Sequence, residues 1–293
     1  MESVESRREV IEERLREVVD AVEPAELQDE LAHVVLAGGK RVRPTLTLLS
    51  CEAAGGAVWA EGGTDQLGPD GRTALDFAVG VELVHNASLV VDDIIDRSEL
   101  RRGSESAWAT YGHGPALVSS DGLLGEAFAL FSADSRALES VSRALIDLGE
   151  GEALELVEQP DSESEYMELA RRKTGALFRT AAELGAIAAD ADAATVDAFG
   201  EYAERVGIAF QIRDDVLDAV ADAEDLGKPV EHDDAMDRPS IVRVTGEDPE
   251  TLTERARMEA EAAQAALDRV TVEDTDARSY LADLATFVVD RDR

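Results

Sequence analysis

The sequence predicts an all-α protein built as one large helical bundle, and three observations carry that prediction. Strand signals are nearly absent: only 4% of residues are aromatic, and no stretch alternates cleanly over six residues. Ala, Leu, Glu and Arg recur at helical spacing along most of the chain. The eight prolines (24, 44, 69, 115, 160, 229, 239 and 249) fall between these periodic segments, where helices end or begin. A chain of 293 residues can hold one large domain or two small ones. No composition break or fixed-period repeat divides it, so a single domain over residues 1–293 is expected.

In order along the chain, the spacing predicts helices over 2–21, 25–37, 44–54, 73–98, 115–132, 136–158, 163–189, 193–221, 236–244, 249–268 and 275–290. Pro44, Pro115 and Pro160 are each expected to open a helix, since a first-turn proline loses no hydrogen bond. The glycine-rich stretch 55–71 reads as a loop. The 73–98 segment opens on Thr73 and Asp76 at capping-box spacing. It and the 193–221 segment are apolar almost all round, which places both in the middle of the bundle.

Charge narrows the function. There are 64 acidic and 28 basic residues, a net charge of −36, and only three of the basic residues are lysines. Nucleic acid is excluded as a partner, because binding it needs a basic stripe, and anionic membrane surfaces are disfavoured for the same reason. A hydrophobic fraction of 44% excludes disorder, so the acid coats a folded protein. A carboxylate-rich, lysine-poor surface is suited to concentrated salt, where self-repulsion is screened, so the chain reads as halophilic; an ordinary acidic protein is the alternative. A single cysteine, Cys51, excludes a disulfide framework, and the four histidines (33, 85, 113 and 232) show no HExxH spacing. The charged N-terminus is not a signal peptide, and the longest apolar run, 77–91, carries Glu82. No integral membrane segment and a cytoplasmic location are therefore expected.

Both central helices end in one pattern: Asp92-Asp93-Ile94-Ile95-Asp96 and Asp214-Asp215-Val216-Leu217-Asp218. Residues i and i+4 lie about 40° apart around a helix, so Asp92 shares a face with Asp96, and Asp214 with Asp218. His85 and Ser88 continue the first face backward, and Gln211 and Gly207 the second. One acidic cluster in an acidic protein is commonly a solvated face. Two copies, each ending an apolar helix, point instead to cations, and Mg²⁺ takes one or two carboxylates together with substrate phosphates. The lysines sit in distinctive contexts: Lys40 in Gly-Gly-Lys-Arg-Val-Arg-Pro, Lys173 in Arg-Arg-Lys-Thr-Gly, and Lys228 in Leu-Gly-Lys-Pro. Lysine as a point charge and arginine as a fork both suit phosphate, and Arg101-Arg102-Gly103 follows the first acidic cluster directly.

GGKRVRP, HNASLVVDDIID followed by RRG, KTGALF, FQIRDDVLD and LGK, in this order, resemble the trans-isoprenyl diphosphate synthases, or polyprenyl synthetases, from about residue 30 to 240. The resemblance implies an all-α isoprenoid synthase fold around a deep central cavity, usually in a homodimer. It implies Mg²⁺-dependent head-to-tail condensation of isopentenyl diphosphate with an allylic diphosphate, with about three Mg²⁺ per site. Carried over by motif, Asp92, Asp96 and Asp214 bind metal, with Asp93, Asp215 and Asp218 supporting. Arg101, Lys173 and Lys228 hold the allylic diphosphate, and Lys40, Arg43, His85 and Arg102 the isopentenyl diphosphate. Thr174, Gln211 and the carbonyl of Lys173 lie near the developing cation.

Several positions depart from the family pattern. Val91 stands where His is common, and Gly151-Glu152-Ala153-Leu154-Glu155 where Gly-Gln-x-x-Asp is usual. Ser120-Asp121 replaces Gly-Asp, and Arg238 and Ser240 replace Lys and Thr near the third lysine, which keeps Arg238 as a substrate-binding candidate with altered geometry. No metal ligand is lost. Glu152 adds negative charge near the site. Ala87 and Ser88, five and four residues before Asp92, are small where large aromatics stop short products in the family. Phe128 and Phe131 are candidate floor residues, with ordinary core packing as their alternative role. Geranylgeranyl diphosphate is the expected product. The alternatives are a longer-chain synthase for quinone side chains, a non-catalytic subunit of a heteromeric synthase, and a terpene cyclase. The second Asp-rich motif argues against a cyclase, and both intact motifs argue against an inactive subunit.

Overall fold

The computed structural model describes residues 4–59, 67–225, 239–270 and 275–290, with 221–225 described by their helical backbone only. The chain is all-α. In order it runs α1 (Val4–Asp20), α2 (Ala25–Val35), α3 (Val42–Ala53), α4 (Pro69–Ile95), a hairpin of β1 (Leu100–Arg101) and β2 (Ser104–Glu105), α5 (Ala107–Tyr111) and α6 (His113–Phe131). It continues with α7 (Ser135–Val157), α8 (Glu163–Ala170), a π turn (Arg171–Gly175), α9 (Ala176–Ala188), α10 (Ala193–Asp225), α11 (Ile241–Thr245), α12 (Pro249–Leu267) and α13 (Asp276–Asp290).

α4 is the core helix, as its composition predicts. It packs against α3, α6 and α9, while α10 packs against α9 and α12. Its length and apolar character would suffice to cross a membrane, but most of it is buried inside the bundle. Close helix approach explains two glycines. A Cβ at Gly185 of α9 would lie 2.2 Å from the Thr47 carbonyl oxygen of α3, so the two backbones touch there. A Cβ at Gly80 of α4 would lie 2.5 Å from the Phe131 ring, which also packs on Phe77 with centroids 6.0 Å apart.

Helix starts are where the sequence reading needs correction. α4 begins at Pro69, with Gly68 as its N-cap, so Thr73 and Asp76 form no cap; Asp76 instead accepts from Arg14 Nε at 2.9 Å. α3 begins two residues before Pro44, after Arg41 in left-handed backbone at φ 51°. Pro160 opens nothing: α8 starts at Glu163, where the Ser162 hydroxyl accepts from the Glu165 N–H. The expected 163–189 helix is divided by the π turn. The expected 73–98 helix stops at Ile95 and is followed by the hairpin, which turns at Arg102-Gly103. Both residues have positive φ (53° and 82°), as the two-residue turn of a tight hairpin requires.

Candidate active site

The last turn of α4 presents Asp92, Asp93 and Asp96 with no basic residue in that turn. A helix C-terminus already carries partial negative charge, so three carboxylates there are unfavourable unless cations meet them. The first and second aspartates of each doublet have different surroundings. Asp93 is buried, and Arg101 Nε donates to it at 2.9 Å from the hairpin. Asp215 on α10 accepts from the Tyr166 hydroxyl at 2.7 Å, the Ile241 N–H at 2.8 Å and Gln211 Nε2 at 2.9 Å. Burial pushes its pKa up, the three hydrogen bonds pull it down, and neighbouring Asp214 adds to the rise. Asp93 and Asp215 are thus scaffold carboxylates. Asp214 and Asp218 line a cavity of about 550 Å³.

Across that cavity stands the π turn. Wider turns of this kind recur at functional sites because they displace one side chain from the helical register. Here Arg171 and Arg172 turn to Glu168, while Lys173 and Thr174 line the cavity. The Thr174 hydroxyl donates to Gln211 Oε1 at 2.9 Å, which joins it through Gln211 to Asp215 and Tyr166. Lys173 Nζ is paired with Glu152 at 2.9 Å and with Glu155. Burial lowers the Lys173 pKa, but Glu155, Asp92 and Glu152 outweigh it and raise it overall. The ammonium therefore stays charged.

A basic cluster forms beside this cavity. Gly38 and Gly39 carry positive φ (91° and 136°), and the loop they bend brings the Gly38 carbonyl to Arg102 Nη1 at 2.6 Å. A Cβ at Gly39 would sit 3.2 Å from Arg102 Cζ. The Arg43 guanidinium lies over the Phe178 ring, 4.7 Å from its centroid, and its buried Nε has no hydrogen-bond partner. Burial pushes Arg43 down to about 10, with Glu82 acting against the shift and Arg102 with it. An unpartnered buried donor among arginines is a site prepared for an anion.

Among the described residues no three His, Cys, Asp or Glu side chains form a ready-made metal cage. The donor set fits a hard cation that keeps waters and is completed by substrate phosphate, as Mg²⁺ is. The carboxylates of Asp214 and Asp218 on α10, with Lys173 and Arg101 at the same cavity and Asp92 of α4 near enough to act on Lys173, suit a metal–diphosphate pair.

The polyprenyl synthetase family model matches residues 24–274. The chain belongs to the polyprenyl synthetase family. A short chain isoprenyl diphosphate synthase of Methanothermobacter thermautotrophicus is 34% identical over 97% of this chain and 96% of its own. The geranylgeranyl pyrophosphate synthetase structure from Geoglobus acetivorans superposes with a TM-score of 0.81 at 28% identity, over 98% and 97% of the two chains. A polyprenyl synthase of Caulobacter crescentus, complexed with calcium and isoprenyl diphosphate, gives 0.80 at 28% identity over 99% and 98%. The chain is accordingly a trans-prenyltransferase by class.

The structure distributes the predicted synthase residues unevenly. Arg101, Lys173, Thr174, Gln211, Asp214, Asp215 and Asp218 share the cavity. Lys40 does not face it: the side chain is exposed on an outer groove with Tyr280, Leu284 and Phe287 of α13. Left-handed Arg41 redirects the chain there, so neighbours diverge, and Arg41 itself is buried against Glu12 and Glu82. Lys228 and Arg238 lie outside the described residues. The cavity reaches α4 at Leu89, and its described lining does not include Ala87, Ser88 or Phe128. Ala87 is buried and its carbonyl accepts from Ser120, Ser88 donates to the His85 carbonyl, and Phe128 packs half-buried on the core. Phe131 is a core residue. Arg41, Glu155 and Phe178 lie within the quoted motifs but had no role assigned to them, and Tyr166 lies in none of those motifs.

His85 gives this site a pH signature. Burial, then Arg43, Arg102, Arg101 and Arg41, hold its pKa well below the ordinary 6.5. As pH falls below about 6.5, the unfolded chain takes up a proton that the folded chain refuses, so stability drops towards the lowered folded value. Substituting His85→Gln is expected to flatten the loss of denaturation midpoint between pH 7 and 5. An unchanged slope would show that His85 is not held neutral.

Proposed function

We propose that this synthase condenses isopentenyl diphosphate head-to-tail with an allylic diphosphate to give an all-trans polyprenyl diphosphate, with geranylgeranyl diphosphate as its product. The observation that carries the reading is the cavity on which Asp214 and Asp218 converge with Lys173, Arg101, Thr174 and Gln211. Asp92, Asp96 and Asp214 would hold Mg²⁺, about three ions per site, with Asp218 in support. Bound there, Mg²⁺ supplies positive charge to the departing diphosphate.

The chain's own residues do the rest. Lys173 and Arg101, with Lys228, hold the allylic diphosphate. Arg43, His85 and Arg102 hold isopentenyl diphosphate. Thr174 and Gln211 offer fixed oxygen dipoles where the allylic cation develops, and Asp215 and Tyr166 keep Gln211 in place. The alkene of isopentenyl diphosphate attacks that cation, and its proton leaves to the released diphosphate. Water would quench the cation, so the step needs water excluded from the site. Ala87 and Ser88 are small where bulky side chains would end growth early, which supports a longer product. The same small residues favour the second reading, a longer-chain synthase. The acidic, lysine-poor surface supports work at high salt, and the family resemblance supports a homodimer.

Incubation in concentrated KCl with Mg²⁺, isopentenyl diphosphate and C5, C10 or C15 allylic diphosphates tests this directly. The expected result is a C20 diphosphate that fails to form with chelator. Absence of any condensation product would overturn the assignment, and a longer product would overturn the chain length alone.

A further inference from the structure

Lys173 is the described cavity ammonium, yet it is shared between two carboxylates. Glu152 and Glu155 stand one turn apart on α7 and both reach Nζ, Glu152 at 2.9 Å. Lys173 and Glu152 are both partly buried, with 25% and 21% of their side chains exposed, so solvent screens the pair incompletely. An ammonium has three donors, which leaves one for a ligand. One carboxylate would neutralise Lys173; the second leaves the cluster net negative before any aspartate is counted. A diphosphate oxygen bonded to Nζ would lie within about 6 Å of the Glu152 carboxylate, by ordinary charge-assisted hydrogen-bond lengths.

We infer that Glu152 is a specificity-determining residue that loosens the allylic diphosphate site, so that a growing chain leaves after few condensations. The inference rests on the prenyltransferase reading above. Each condensation makes a new allylic diphosphate, which either takes the Lys173 site for another round or escapes. Its grip there sets the balance, and Glu152 opposes the grip by repulsion and by competing for Nζ. Glu155 alone suffices to orient the ammonium.

The test compares wild type with Glu152→Gln, which keeps size and hydrogen bonding but removes the charge. Inorganic diphosphate is titrated calorimetrically with Mg²⁺, and products are chromatographed at limiting primer. Removing one charge at this distance, at intermediate dielectric, is expected to tighten diphosphate binding by about three- to tenfold. The KM for allylic substrate should fall in proportion, that for isopentenyl diphosphate should hold, and the product distribution should move to longer chains. Equal or weaker diphosphate binding in Glu152→Gln, with helical circular dichroism intact, overturns the inference, as does tighter binding with no lengthening of product. A Glu152→Ala variant separates charge from amide hydrogen bonding and should tighten binding as well. Wild type that makes no product at all would instead strike the prenyltransferase reading.

Discussion

Replacing Asp92 by Ala is expected to lower Mg²⁺-dependent condensation by a factor on the order of 10³ or more, the scale on which loss of one preorganised electrostatic group acts. The prediction follows from the division within each doublet. Asp93 and Asp215 are engaged by Arg101 and by Tyr166, Gln211 and Ile241, so they hold the scaffold. Asp92 and Asp214 are the members of each doublet assigned to metal, and the charge of Asp92 helps raise the Lys173 pKa across the site. The unfolding free energy of Asp92→Ala should change by less than about 1 kcal/mol, since it removes a carboxylate from an already negative helix end. Steady-state turnover beside a denaturation curve checks both halves. Retained turnover contradicts the metal assignment, and a large stability loss would make Asp92 structural.

The largest stability effect is expected at Arg41. Its side chain is fully buried, with Nε donating to Glu12 at 2.7 Å, Nη1 to Glu82 at 2.8 Å and Nη2 to the Val35 carbonyl at 2.7 Å. Glu82 is only 3% exposed and sits in the middle of α4. Arg41→Ala strands that carboxylate in the core, which costs about 3–5 kcal/mol when one partner of a buried pair is removed. Urea denaturation at high salt measures it. The double variant Arg41→Met with Glu82→Leu should recover most of the loss, because two apolar side chains leave no buried charge behind. A loss below about 1 kcal/mol for Arg41→Ala alone would mean that Glu82 is not dependent on it.

Much of the site was legible because it is local. Aspartates at i and i+4 at the end of an apolar helix share a face whatever surrounds them, and the 73–98 segment, apolar almost all round, read as a core helix, which the structure has over Pro69–Ile95. The remainder depends on contacts between distant residues. That Asp215 faces the scaffold depends on Tyr166, 49 residues earlier, and on Ile241, 26 later. That Lys173 and Thr174 reach the cavity depends on a π turn, for which helical periodicity has no signature. Lys40 shows the limit most plainly. Its retention in a lysine-poor chain argued for phosphate, but one left-handed residue after it turns the backbone, and Arg41 and Arg43 go inward while Lys40 stays out. Motif membership did not reveal which residue of the motif faces the cavity.

The halophilic reading concerns the coat and is separable from the chemistry. The central claim is that two distinct anion sites lie side by side, one made by the carboxylates with Lys173 and one by Arg43, His85 and Arg102. Calorimetric titration of isopentenyl diphosphate without Mg²⁺, in wild type and in Arg43→Gln, tests it most directly. One metal-independent site per chain is expected, weakened at least tenfold by Arg43→Gln and unaffected by Asp92→Ala. Binding that requires Mg²⁺, or that survives Arg43→Gln while vanishing with Asp92→Ala, would contradict it.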